Sequence, residues 1–175
     1  MNKINSIRGM RDLIGQNLLV HNKIIDVFKL LASRFNFKPI STPIMEFSDV
    51  FTRSLGNASD VVMKEMYTFK DRNDESLTLR PEGTAGVARA VISNGLTQDL
   101  PQKLFYYGPM FRYERPQKGR LRQFHQIGVE TFANTSFYRD FEVLMLAQQI
   151  LKKLNILDSL TLQINNLGDN ATRNL

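Results

Sequence analysis

The 175-residue sequence contains no cysteine. That excludes a disulfide framework, a thiolate zinc site and a cysteine nucleophile. Histidine occurs only at His21 and His125, so a histidine-rich metal site is unsupported and no metal ligand is assigned. Long apolar runs are missing as well, and none approaches the ~20 residues of a membrane-spanning helix. The first twelve residues lack the apolar stretch of a secretory signal. These absences predict a soluble, cytoplasmic chain with no membrane partner. No repeat, low-complexity tract or interdomain linker is evident, and the length suits one domain with a substantial core. Against 17 acidic residues stand 23 basic ones, a formal charge of +6 that favours an anionic partner.

Apolar spacing predicts an amphipathic helix over residues 18–35, with Ile24, Val27, Phe28, Leu31 and Phe35 as its core stripe. An extended segment follows at 37–43, punctuated by Pro39 and Pro43. Ser48 is placed to cap a short helix through Val50, Phe51 and Leu55, stopped at Gly56. Residues 66–70 and 76–80 read as paired strands around a turn-rich segment. Pro81 ends the second strand, and a helix spans about 84–93 before Asn94-Gly95. Ser136 is expected to cap a further helix whose apolar positions are Phe141, Leu144, Met145, Ile150, Leu151 and Leu154. A last strand is expected at 160–165. The fold class is α+β, an antiparallel sheet flanked by helices.

The most informative stretch runs from Tyr107 to Glu130 as strand, basic loop and returning strand. Alternation places Phe124, Gln126, Gly128 and Glu130 on one face, and His125, Ile127, Val129 and Thr131 on the other. Arg112 and Glu114 share a direction on the incoming strand. One face thereby offers an arginine, two carboxylates, an amide and an aromatic ring around a glycine that leaves room. Such a set suits a phosphorylated, ring-bearing, partly cationic ligand. The plain alternative is a hairpin with one solvated face. The loop weighs against it: Arg115, Lys118, Arg120 and Arg122 face a single Glu114 and repel one another until a polyanion neutralises them.

The run Phe111-Arg-Tyr-Glu114, followed by Arg120 and Phe124, resembles motif 2 of the class II aminoacyl-tRNA synthetases. Ile7-Arg-Gly-Met-Arg-Asp12, Thr78-Leu-Arg-Pro-Glu-Gly-Thr84 and Gln123-Phe-His-Gln-Ile-Gly-Val-Glu130 narrow the resemblance to the histidyl-tRNA synthetase family. It covers essentially the whole chain as the N-terminal part of a catalytic domain, with motif 1 at about 39–56 and motif 2 at about 104–132. The third motif and an anticodon-binding domain are absent from the sequence, so little or no turnover is expected of the chain alone.

The resemblance implies ATP-dependent activation of L-histidine and transfer to tRNA(His). Arg112 would be the catalytic residue, clamping the α-phosphate and the substrate carboxylate with its planar fork. Glu114, Arg120 and Phe124 would complete the ATP site with Arg112. Histidine would meet Glu82, Thr84, Arg112, Gln126 and Glu130. Arg115, Gln117, Lys118 and Arg122 would approach the acceptor end of the tRNA. Mg²⁺ is expected to accompany ATP, and a homodimer is expected of the full-length protein. Glu82 and Thr84 have a structural alternative, capping the helix after Pro81. A further alternative is the regulatory subunit of ATP phosphoribosyltransferase, a paralogue that would bind histidine without charging tRNA. A binding module for RNA is a third.

Overall fold

The computed structural model describes residues 4–55, 65–133 and 136–165. From the N-terminus, α1 (Gln16–Arg34) leads through β1 (Lys38–Pro39) and β2 (Met45–Phe47) into α2 (Ser48–Leu55). The strands β3 (Tyr67–Lys70) and β4 (Ser76–Leu79) precede α3 (Thr84–Ser93), and β5 (Gln102–Phe111) and β6 (Gln123–Phe132) precede α4 (Phe137–Lys153). The α+β class is as expected, but the strands form two three-stranded sheets, β1-β5-β6 and β2-β4-β3. Within the first, β1 runs parallel to β5; every other pairing is antiparallel. Pro39 offers no N–H, so the parallel ladder is short and closes with Ile40 N–H donating to the Phe105 carbonyl at 2.9 Å.

The β5–β6 hairpin separates two cores. On one face Phe105 packs with Phe28, Leu31 and Ala32 of α1 and with Leu146 and Ile150 of α4, and Val129 joins them. On the other, Leu104, Tyr106 and Met110 pack with Val87 and Val91 of α3, and Phe124 and Phe132 border that cluster. The alternation read from the hairpin therefore holds. His125 lies with the first face, its ring 4.4 Å from that of His21. Burial, reinforced by His21, lowers the tendency of His125 to protonate. Lys103 bonds Glu142 at 2.6 Å and also donates to the Phe35 carbonyl, tying β5 to α4 and to the end of α1.

Several expectations are corrected by packing. Ile24 of the predicted α1 stripe is 36% exposed and lies outside the buried cluster, because the inward arc is narrower and centred on Phe28, Leu31 and Ala32. In α4 the inward positions are Val143, Leu146 and Ile150, with Leu154 just past its end, whereas Phe141 and Leu144 face out. The broad apolar surface of that helix left the choice of arc to its neighbours. Ser136 stands at the N-terminal boundary of α4 without a side-chain capping bond. Ser48 begins α2, and its hydroxyl bonds those of Ser76 and Thr78, each at 2.8 Å. Its predicted stop, Gly56, lies outside the described residues. Residues 160–165 pair with no described strand, so their alternating pattern finds no ladder.

Candidate active site

Residues from four segments meet on the α3-facing side of the hairpin. The first is the turn between β4 and α3. Pro81 stops the strand, and the Glu82 carboxylate accepts from the backbone N–H groups of Thr84 and Ala85, the latter at 2.9 Å. The capping role open from the sequence is thus realised, and it satisfies N–H groups that have no partner within the helix. Thr84 is exposed and donates from Oγ1 to Glu130 Oε1 at 2.8 Å. The turn is joined in this way to β6.

Glu130 is half-buried and also accepts from the Tyr106 hydroxyl at 3.4 Å. Burial pushes its carboxyl above the usual range and nearby Glu82 adds to this, while the Thr84 and Tyr106 hydrogen bonds oppose it. The native carboxyl therefore keeps its proton to higher pH than the unfolded one. Stability must fall as pH rises from the ordinary carboxylate value through the raised one. Glu130→Gln is expected to melt above the wild type on the alkaline side of that window and level with it on the acid side. Thermal melts between about pH 4 and pH 8 would read the difference.

Tyr106 was missed by the sequence reading. It is 8% exposed and sits opposite Gly128 in the hairpin register. A Cβ at Gly128 would lie 2.4 Å from its ring, and one at Gly83 2.1 Å. The space left by Gly128 is thus filled by Tyr106, not by a ligand, which corrects the expectation. The available signal was a tyrosine and a glycine on one face of a hairpin whose register the loop largely sets. Gly128→Ala is expected to cost about 1–3 kcal/mol through overpacking, checked by denaturant unfolding.

Arg112 follows β5 directly and pairs by its backbone N–H with the Arg122 carbonyl at 2.9 Å. Its Nε donates to the Pro81 carbonyl at 2.9 Å, and its guanidinium lies 5.1 Å from the centre of the Phe124 ring. Among the described residues its terminal nitrogens make no hydrogen bond. Gln126 carries an orphan as well, since its Oε1 is buried without a donor among the described residues. Glu114 lies beyond the strand, in the loop, so it does not share a strand face with Arg112. Its carboxylate meets Arg120 at 3.4 Å. Arg120 is too exposed for that pair to contribute much.

In the loop, Arg115, Gln117, Lys118 and Arg120 are exposed, with a tight turn at Gly119 where φ is +84°. Arg122 behaves differently. Its Nε donates to the Glu114 carbonyl at 3.2 Å, and its guanidinium stacks 4.3 Å above the Tyr113 ring. Arg122 N–H also donates to the Gly9 carbonyl at 2.8 Å, docking the N-terminal segment on the loop. Gly9 has φ +87°, and a Cβ there would sit 3.0 Å from carbons of Arg122 and Pro116. This glycine is required both for its backbone angle and for the close approach.

Arg80 is the other residue missed. Its side chain is buried and donates to the Pro109 carbonyl at 2.9 Å and to the Thr42 carbonyl at 3.0 Å. It braces the β4 end against β5 beneath the site.

A family model described as histidyl-tRNA synthetase matches residues 9–168. The histidine–tRNA ligase of Gluconobacter oxydans is 55% identical over 166 residues, covering 95% of this chain and 40% of the relative. That of Rhodospirillum rubrum is 53% identical over 173 residues, covering 99% of this chain and 42% of the relative. The chain thus spans about two-fifths of the length of these curated relatives. Among solved structures, apo histidyl-tRNA synthetase of S. aureus is similar with a TM-score of 0.72 at 37% identity, over 86% of this chain and 35% of that one. A Bacillus halodurans C structure, titled an ATP phosphoribosyltransferase regulatory subunit/histidyl-tRNA synthetase, is similar with a TM-score of 0.74 at 26% identity, over 86% of this chain and 38% of that one.

Proposed function

Because the chain belongs to the histidyl-tRNA synthetase family, we propose that it is the N-terminal portion of a class II catalytic domain and supplies part of a histidine-activating site. In the reaction, the histidine carboxylate attacks the α-phosphorus of ATP and pyrophosphate leaves. The histidyl group then passes to a ribose hydroxyl of the terminal adenosine of tRNA(His), and AMP departs. Chemistry of this kind depends on positioning and charge stabilisation.

The observation that carries the proposal is the setting of Arg112. The Pro81 carbonyl and the Phe124 ring hold its guanidinium in place, leaving the outer fork for oxyanions. Phe124 receives the adenine, Glu114 helps to hold the base, and Arg120 exchanges Glu114 for the β- and γ-phosphates. Thr84 spends its proton on Glu130, so its oxygen remains an acceptor for the substrate ammonium beside Glu82. The orphaned Gln126 Oε1 is a further acceptor for that ammonium, and Glu130 faces the imidazole. Mg²⁺ would accompany the ATP phosphates and supply charge neutralisation there, and no residue is assigned to hold it. Arg115, Gln117 and Lys118 approach the acceptor end of the tRNA, and Arg122 shapes the loop that presents them.

The motif 1 segment, about 39–56, contributes to a homodimer interface. Phe47 and Val50 line an open groove of about 560 Å³ with Ala88 and Ile92, and Phe47 and Ile92 are strongly exposed. No helix among the described residues is long and apolar enough to cross a membrane. The cytoplasm is the proposed compartment.

The test is histidine-dependent ATP–pyrophosphate exchange by the purified chain and by one extended to the length of its relatives. Exchange by the extended chain that requires histidine supports the proposal. Histidine binding without exchange in the extended chain would favour the regulatory paralogue, the reading that the Bacillus halodurans likeness keeps in view.

A further inference from the structure

The proposed function assigns Glu130 to the imidazole but leaves unexplained what orients it. A glutamate has three rotatable side-chain bonds, and fixing it in one rotamer costs conformational entropy. Two hydroxyls converge on the same carboxylate oxygen, Thr84 Oγ1 at 2.8 Å and Tyr106 Oη at 3.4 Å, both to Oε1. Oε2 has no hydrogen-bond partner among the described residues. Tyr106 itself has little freedom, because its ring is packed at the Cβ positions of Gly83 and Gly128. It is therefore anchored from the strand below, whereas Thr84 is exposed and stands at the start of a helix.

Resting on that functional reading, we infer that Tyr106 is a positioning residue for Glu130: together with Thr84 it occupies Oε1, from a rigid ring, and thereby helps to present Oε2 to the imidazole N–H of histidine. A carboxylate so restrained selects a ligand by the direction of its N–H as well as by charge. The tyrosine hydroxyl is suited to the task because burial, with Glu130 next in effect, pushes its ionisation up to about 12. It stays a donor across the working pH range. Gly83 and Gly128 acquire a purpose in the same arrangement, since either side chain larger than hydrogen would move the ring.

Tyr106→Phe keeps the ring and removes only the donor. Two readouts test the inference: the Glu130 carboxyl titration by carbon NMR on the isotope-labelled 175-residue chain, and L-histidine affinity by calorimetry across pH on a chain extended to the length of its relatives. In the variant the Glu130 midpoint is expected to move to higher pH, because a hydrogen bond to the ionised form is lost. L-histidine binding is expected to weaken about tenfold near neutral pH, with its acid limb displaced upward in step. Unchanged backbone amide spectra would show that the fold is intact. A Glu130 midpoint that does not move would overturn the tether. Equal histidine affinity despite a moved midpoint would overturn the positioning role alone. Failure of the wild type to bind L-histidine would instead overturn the functional reading beneath it, whatever the midpoint does.

Discussion

Arg112→Ala is expected to lower histidine-dependent pyrophosphate exchange by about 10²–10³-fold in a chain of the relatives' length. The reasoning starts from the ground state. Arg112 has one nitrogen tied to the Pro81 carbonyl and its plane set against Phe124, so its fork is held before substrate arrives. A donor that need not reorganise when negative charge builds up contributes most in the transition state. Arg112→Lys retains a charge without the fork, so it should recover only part of the loss. The loss should fall mainly on the maximal rate, with the melting temperature little altered, because the residue is half-exposed and its side chain makes a single hydrogen bond among the described residues. Exchange within a few-fold of wild type would remove Arg112 from the chemistry.

Arg80→Met is expected to destabilise the fold by about 3–5 kcal/mol, read by denaturant unfolding. Arg80 is 8% exposed, and its hydrogen bonds reach Pro109 in β5 and Thr42 in the segment between β1 and β2. Its backbone N–H bonds the Ile44 carbonyl at 2.9 Å, and its carbonyl accepts from Phe111 at 3.0 Å. One residue thus stitches the two sheets together where β4 ends. Removing the guanidinium leaves buried carbonyls without donors, and each such orphan is costly. A loss of that size consumes much of the ~5–15 kcal/mol that domains possess. Arg80→Lys would keep the charge but could not span the same acceptors, so it should also be destabilised. Stability equal to wild type in both variants would show that the two sheets hold together without this brace.

The hairpin was legible because its physics is local. Alternation over ten-residue strands, with Pro116 and Gly119 in the loop between them, leaves one consistent register, and Phe105 and Val129 fall on one side with Phe124 on the other. The α3 boundaries were equally plain, since Pro81 and Gly95 bracket a short apolar run. Helix arcs were less so. Around α4 apolar side chains occupy more than one face, and only contact with α1 and the sheet selects Leu146 and Ile150 over Phe141 and Leu144. The stretch at 160–165 has strand-like alternation, but a strand needs a partner edge, and a segment's own residues do not specify one.

For this protein the order of residues alone determined the α+β class, the paired strands, the family resemblance and the identity of the side chains on the polar face. Those follow from periodicities and short motifs whose causes lie within a few residues. The tertiary structure decided which of those side chains are free to act. It turned Glu82 into a helix cap, paired Glu114 with Arg120, committed Arg122 to Tyr113 and the Gly9 carbonyl, and filled the space beside Gly128 with Tyr106. It also raised Arg80 and Tyr106 from unremarked strand residues to the supports of the site. Apart from the Glu82 cap, which spans three positions, each of those outcomes depends on groups 6 to 113 positions apart meeting within hydrogen-bonding or packing distance, and burial then fixes what they cost or contribute. Such encounters are set by the packing of whole elements, which no local pattern encodes.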